Sequence, residues 1–581
     1  MKILLLHIDD VPWRGPWTEG RWDLIVDLGY AGRKTYAEWE KRCGSRIISI
    51  HQFADTGSYS SIRKVIDRGR GRLVDRMGLD WWEIIAAAGY QKLQPLYLLQ
   101  RLQQEIPRGG EYWATRKNIF ADVLSASAGI SVFAYQESPK LTQSFWRSLG
   151  SARLLNYKQI VEIAFDKWDS TYAVRRHAEK SRRAGLQDPV VLLPSAYSNV
   201  THTLLDYAAE LPQRRFLLAS TRRSGRAHSC PQNVSQTSLA AYAVSTASTK
   251  AEETELLAQW RLFAQKEMDE IDTLRQMRDA GLWNDFPSHL KRGLRLREAW
   301  HCLMKTEPVI GVLSADDLNY YTRIPLILAG QMGLGSFYSY HGALDGALLF
   351  KKPYADRYFV KGEMERDYML RASAIEPQQV EVGAPSRYFR APAKEEASRT
   401  DIVLFSQPYE VLGGRTVEIY REILPALCEL ARRTGRTLAI KLHPFESVKD
   451  RRRLLACVLG EKDLNEVRIV SGTALDSVLS QAWCGIGVDS SIAVECALRG
   501  VAYFICAWLD CSGFEYGRQL GRFGAGKTLG AASELQRIPE IIAESREFLN
   551  PCDRLCSRAD KNRLDEILFL NDEVGMKACA C

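Results

Sequence analysis

"WCGIGVDSSIAVECALRG", Trp483–Gly500, reads as a single strand-to-helix unit. The apolar, glycine-containing run ends at Asp489, and Ser490 and Ser491 follow where a helix start needs short side-chain oxygens for its unpaired backbone N–H groups. Glu495 stands one turn inside that helix and Gly500 closes it. Hydroxyls and amides at a helix start also suit a phosphate, and a carboxylate one turn in can accept two hydrogen bonds from a ribose diol. The rival reading is a plain N-cap.

The same grammar repeats outward from this stretch. "TLAIKLHPFES", Thr437–Ser447, is a buried strand that ends in Lys441, His443 and Pro444. Polar residues at a strand's carboxyl end lie where open α/β sheets bind ligands, and an imidazole there can donate to a phosphate oxygen. Upstream, "DIVLFSQ" leads through "PYEVLGGR" to "TVEIYREILPALCELARRTG", whose Ile419, Ile423, Leu427 and Leu430 recur at helical spacing up to Gly435. Gly413, Gly414 and Arg415 therefore occupy a strand-to-helix turn, where backbone amides and an Arg fork can approach a phosphate. A turn that merely needs positive φ is the simpler alternative. Pro425 predicts a kink in the helix.

Short apolar runs alternate with helical stretches along most of the chain, the pattern of an α/β protein with mostly parallel sheets. A first set holds "KILLLHI", "DLIVDLG", "RIISI", "PVVLLPS", "RRFLLAS", "PVIGVLS", "GSFYSYHG" and "RYFVKG", with long amphipathic stretches near 80–180 and 250–305 read as helices. A second set follows the polar linker "APAKEEASRTD" and adds "VRIVSG" and "AYFICAW". The expected domains are an N-terminal unit over 1–392 with helical insertions, a C-terminal Rossmann-like unit over 400–550, and a helical tail over 551–581.

The chain has 581 residues, 46% apolar and 25% charged, with a net charge of +8. That mild excess suits anionic small molecules or a membrane surface, and does not mark a nucleic-acid binder. Its 13 cysteines show no paired zinc spacing and no framework of a small secreted fold. The opening "MKILLLHIDD" is too short an apolar run for a signal peptide, and no later run reaches the ~18 to 20 residues of a membrane span. The expectation is a cytoplasmic protein, with any inner-membrane contact peripheral.

A glycine turn, a strand ending K-x-H-P and a strand-to-helix "DSS-x-x-x-E", in that order, resemble the donor domain of GT-B glycosyltransferases of bacterial surface and capsular polysaccharide synthesis. The nearest patterns are those of capsule Kdo transferases, bacterial sialyltransferases and CDP-glycerol glycerophosphotransferases. The resemblance implies two Rossmann-like domains facing across a cleft, with nucleotide contacts at His443, Ser490, Ser491 and Glu495. It extends to "PVIGVLSADDLNYYTRIPLILAGQMGLGSFYSYHGALDG", Pro308–Gly346, which is similar to the "D…N…gip…QHG" run of the same enzymes, with Tyr340 in place of the Gln. The histidine before that glycine is the proposed base in the glycerophosphotransferases, so the resemblance nominates His341. A loop histidine packed at the hinge is the alternative.

The N-terminal "HIDDVPWRGPWTEGRW" offers a second candidate for the base. Asp9 and Asp10 end a strand and can raise each other's pKa, while Trp13, Trp17 and Trp22 give broad faces for an acceptor or seal a domain edge. The expected reaction is transfer of a sugar from a nucleotide-sugar donor to a glycan or lipid-linked glycan acceptor. Glycerol-phosphate transfer from a CDP-linked donor and a non-catalytic glycan-binding protein are the alternatives. No cofactor and no metal are expected, since the acidic pairs lack accompanying ligand spacing.

One motif points elsewhere. "GRFGAGKT", Gly521–Thr528, fits the phosphate-loop pattern of nucleoside triphosphatases. That loop works only between a strand feeding the glycines and a helix leaving them, and here "LDCSGFEYGRQL" separates the glycines from "AYFICAW". A basic structural turn is therefore expected.

Overall fold

The computed structural model describes residues 1–6, 20–27, 44–45, 47–49, 63–64, 66–88, 110–114, 132–134, 183–227, 229–243, 247–268, 275, 278, 283–317, 319–342, 344, 351–389, 399–407, 416–443, 446–459, 461–472, 475–510, 516–544 and 554–569. Three parallel sheets organise them. The first contains β1 (Lys2–Leu6), β2 (Leu24–Asp27), β3 (Ile47–Ser49), β4 (Glu111–Ala114) and β5 (Val132–Ala134), in spatial order β3-β2-β1-β4-β5. The second contains β6 (Val190–Ser195), β7 (Arg215–Ser220), β8 (Val234–Ser238), β9 (Val309–Ser314), β10 (Gly335–Ser339), β11 (Arg357–Val360) and β12 (Val380–Val382), ordered β12-β11-β10-β9-β6-β7-β8. The third contains β13 (Asp401–Phe405), β14 (Thr437–Lys441), β15 (Val467–Val470), β16 (Ala482–Gly487), β17 (Ala502–Cys506) and β18 (Lys527–Leu529), ordered β15-β14-β13-β16-β17-β18.

Each sheet starts in its middle, adds two strands on one side, and then adds the rest on the other. This is the doubly wound Rossmann order, and it opens a crevice at the carboxyl ends of the strands where the order reverses. In the second sheet the reversal lies between β6 and β9, and in the third between β13 and β16. The central strands are buried throughout because helices cover both faces: β6, β9, β10 and β13 are buried at every position.

The α/β class with parallel sheets is as the sequence reads. The strands expected in one N-terminal unit, however, divide between two sheets. Leu4, Trp22, Ile25 and Ile47 of the first sheet share a hydrophobic cluster with Ile402, Ile419 and Ile423 of the third-sheet region, not with the core of the second. The stretch near 80–180, read as helical, holds the helix Trp81–Ala88 but also β4 and β5. β4 alternates in burial over four residues, a period of two that suits a strand. The helix Thr416–Thr434 continues through Pro425 and ends at Gly435, whose φ of 63° needs no Cβ penalty and lets Arg436 N donate to Ala431 O at 3.0 Å.

The chain leaves the second sheet after β12, builds the third, and returns. Met364 N donates to Arg554 O at 3.0 Å, Ser557 N to Lys361 O at 2.8 Å, and Ala384 N to Ser557 O at 2.8 Å. A Cβ on Gly362 would stand 2.4 Å from the Leu555 backbone, so glycine is what lets the two chains touch. The final helix, Lys561–Phe569, then packs Leu564, Ile567, Leu568 and Phe569 against Val191, Leu193 and Phe216 of the second sheet. Among the described residues, no helix is long and apolar enough to cross a membrane.

The phosphate-loop pattern has the reverse of its required context. The helix Tyr516–Arg522 enters the glycines and β18 begins at Lys527, on the edge of the third sheet beside β17. Gly524 takes φ 78° in the turn, and a Cβ on Gly526 would lie 2.9 Å from Tyr503 O. The glycines serve a tight helix-to-strand turn against β17.

Candidate active site

The third sheet gathers polar groups at the carboxyl ends of β14, β13 and β16, which are neighbours at its reversal point. Lys441 ends β14, and His443 follows. Burial, aided by the Lys441 charge, pushes the His443 imidazole down to about 4, so it is neutral near pH 7 and can donate or accept a hydrogen bond without carrying charge. Burial also lowers the Lys441 ammonium below its ordinary value.

The anchor of this loop is Glu446, which the sequence reading passed over. Its carboxylate accepts from His443 N at 2.7 Å, from Ser406 Oγ at 2.6 Å and from Arg451 Nε at 2.6 Å. The side chain is fully buried, and Glu446 N donates back to His443 O at 2.9 Å. The loop after β14 is thus pinned to Ser406 at the end of β13. A signal was present in the sequence: the acid stands three residues beyond His443, the span of one turn.

At the end of β16, Ser490 and Ser491 precede the short helix Ile492–Leu498. Ser491 is itself in the helical region and its side chain makes no capping bond, while Ser490 Oγ accepts from Ile492 N at 3.4 Å. Glu495 is turned onto Arg499 of its own helix, and Arg499 also holds Asp476 at 2.7 Å. An i,i+4 pairing of this kind draws the carboxylate along the helix, away from the Ser pair. Asp489, the first residue of the D-S-S pattern, has no separate role in the sequence reading. Burial, and then the neighbouring Asp510, push its carboxyl up to about 7, against a hydrogen bond from Gln407 at the end of β13.

His341 belongs to the other large sheet, just beyond β10. Its Nδ1 lies 2.7 Å from Ala315 O at the end of β9. A carbonyl can only accept, so this bond fixes the proton on Nδ1 and leaves Nε2 with a bare lone pair. Lys361, buried at the end of β11, reaches Tyr340 O and Gly342 O at 3.4 Å each and is neutralised by Glu365 at 2.9 Å. The histidine loop is held from both sides. Asp316 and Asp317, in the turn before the helix Tyr320–Gln331, are engaged: Asp316 with Asn319, and Asp317 with Lys351 at 2.5 Å and Arg323 at 3.1 Å. The cap of that helix is Asn319, which accepts from Tyr321 N at 2.9 Å.

Asp9, Asp10, Gly413, Gly414, Arg415 and Pro444 lie outside the described residues. Trp22 is buried at 6% exposure and meets Trp113 edge-on, a packing role. Among the described residues, no three His, Cys, Asp or Glu side chains gather as a metal site.

No protein-family profile and no curated protein matches the chain. Among solved structures it is similar to a UDP-GlcNAc 2-epimerase of Methanocaldococcus jannaschii in complex with UDP-GlcNAc and UDP, at 12% identity and a TM-score of 0.40, over 66% of this chain and 99% of that one. It is also similar to the wall teichoic acid polymerase TagF, at 11% identity and a TM-score of 0.36, over 76% and 100%. A glycosyltransferase of Rickettsia africae matches at 10% identity and a TM-score of 0.38, over 67% and 97%. The functional reading rests on the site instead.

Proposed function

We propose that the chain is a GT-B-type glycosyltransferase that moves a sugar from a nucleotide-activated donor to a surface glycan acceptor. The observation that carries this reading is the third-sheet crevice, where Lys441 and His443 at the end of β14 and Ser490 and Ser491 after β16 flank the end of β13 beside the strand-order reversal. Crevices of this topology take nucleotides, and a cation with neutral donors around it matches a diphosphate.

In the proposed reaction the acceptor hydroxyl gives its proton to His341 Nε2, and its oxygen bonds to the anomeric carbon of the donor. The bond from that carbon to the phosphate oxygen breaks, and the electron pair leaves on the nucleotide. Lys441, His443 and the two serine hydroxyls stabilise the departing phosphate. Asp9 and Asp10 are the rival bases, and the proposed donor contacts include the Gly413–Gly414–Arg415 turn. The lattice of roles needs no metal. The acceptor would be a glycan or lipid-linked glycan met at the inner face of the membrane, with the protein attached peripherally.

Calorimetry with CMP, CDP, UDP and ADP tests the reading. At least one nucleotide should bind, with His443→Ala weakening it by about 1.5 to 3 kcal/mol, the scale of a hydrogen bond to a charged group. If none of the four binds, the reading is wrong.

A further inference from the structure

The loop that carries His341 rests on a cation with no part in the transfer chemistry. Lys361 follows β11, and its ammonium donates to the carbonyls on both sides of the histidine, Tyr340 O and Gly342 O, at 3.4 Å each. A lysine at 9% exposure is rare unless it is paired. Glu365 is the partner: its Oε1 accepts from Lys361 Nζ at 2.9 Å and its Oε2 from Lys361 N at 2.7 Å. Burial opposes the ammonium charge, but Glu365 and then Tyr388 outweigh it and hold the group above its ordinary range.

The pair is itself fixed from two directions. Ser557 N of the returning C-terminal segment donates to Lys361 O at 2.8 Å. Glu365 stands in the helix Glu363–Ala372, where Met364 O accepts from Gln519 Nε2 at 2.9 Å. Gln519 is buried in the helix Tyr516–Arg522, the one that enters the glycine turn.

Stability alone does not call for a lysine here, because a buried ion pair is often no better than apolar residues of the same volume. What the ammonium adds is one fixed point for two carbonyls that bracket a single side chain. From β9, Ala315 O holds the ring of that side chain at Nδ1, 2.7 Å away. With the main chain held on both flanks and the ring held at Nδ1, Nε2 has one orientation left.

We propose that Lys361, fixed by Glu365, is the positioning residue of the His341 loop: it keeps Nδ1–H on Ala315 O and the Nε2 lone pair free for a proton. The role of His341 as base rests on the glycosyl-transfer reading above, whereas the tautomer belongs to the fold.

Nitrogen NMR of the full chain carrying 15N-histidine reads that tautomer, with His341→Gln identifying its signals among the nine histidines. The wild-type chain should show His341 as the Nδ1–H form. Lys361→Met should give mixed tautomers, lower turnover by about 10- to 100-fold, the cost of a small misplacement, and leave nucleotide affinity within about twofold. Lys361→Arg, which keeps the cation, should keep most of the Nδ1–H form. Arg214→Gln, which loosens the Asp565 contact at the opposite, amino end of the second sheet, should keep all of it. If Lys361→Met does not fold, Glu365→Gln removes the counter-charge instead and should mix the same tautomers. A single Nδ1–H form persisting in the Lys361→Met or Glu365→Gln chain, mixed tautomers already in the wild type, or equal mixing in Arg214→Gln overturns the proposal. Failure of all four nucleotides to bind, with mixing confined to the Lys361 and Glu365 variants, would remove the transfer reading and leave Lys361 as the anchor of His341.

Discussion

Glu83 and Arg323, 240 residues apart in sequence, meet in a buried ion pair at 2.7 Å. Glu83 also takes Arg70 Nε at 2.5 Å and Lys352 N at 2.8 Å, so one carboxylate ties three segments together beneath the turn that precedes the helix Tyr320–Gln331. Removing Glu83 takes away one of two carboxylates from the buried Arg323, which keeps Asp317 at 3.1 Å, and leaves Lys352 N without this acceptor. Glu83→Ala should cost about 3 to 5 kcal/mol, read as a fall in the denaturant midpoint. A change under about 1 kcal/mol would mean that Asp317 alone suffices as the counter-charge of Arg323.

The bond from His341 to Ala315 O leaves Nε2 as the only basic nitrogen. His341→Ala should lower turnover by ~10² to 10⁴ and leave nucleotide affinity unchanged. Lost affinity with turnover preserved at saturation would make His341 a positioning residue.

His443 predicts a pH response by its absence of charge. With its imidazole pushed down to about 4, it stays neutral through the physiological range. The ratio of wild-type to His443→Ala nucleotide affinity should therefore stay level from about pH 5.5 to 8, although the ordinary imidazole titrates near 6.5. A ratio that climbs as pH falls through about 6.5 would show a cationic contact. For stability the sign is set by the depressed value: the unfolded chain binds the proton first, so His443 costs stability as pH falls from about 6.5 toward 4.

Asp489 acts in the opposite sense. Its carboxyl, pushed up to about 7 from an ordinary 3.8, holds a proton in the folded state that the unfolded chain has released. Its stabilising contribution is complete at low pH and is lost as pH rises through about 7. Asp489→Asn should raise the melting temperature more at about pH 8.5 than at about pH 4, where the folded chain holds the proton and the unfolded chain still holds a large part of it. A gain that is equal at both pH values would show that Asp489 ionises normally.

The α/β class was legible because buried parallel strands are continuous apolar runs, and "PVVLLPS", "PVIGVLS", "DIVLFSQ" and "TLAIKLHP" became β6, β9, β13 and β14. β8, "VSQTS", escaped because it forms the outer edge of its sheet and buries only some of its side chains. The strand ends carrying Lys441, His443 and the Ser pair were readable for the same reason as the strands themselves. Glu446 was not, since its meaning comes from Ser406, 40 residues earlier, and local spacing cannot reveal a partner brought in by sheet order. Lys361 was equally silent. Its carbonyl partners arrive from the loop after β10, and nothing in "RYFVKG" distinguishes a buried ammonium from a solvated one.

The returning C-terminal segment makes the second-sheet unit discontinuous along the gene. Its core is assembled from residues before β13 and from Leu564 to Phe569, with the whole third sheet inserted between them. A stop codon placed after the third sheet would thus uncover an apolar face on a different part of the molecule, and the Arg214–Asp565 clasp at 2.6 Å would lose one half. To excise the second-sheet unit with its core intact, residues 66–88 and 183–389 would both have to be kept with 554–569.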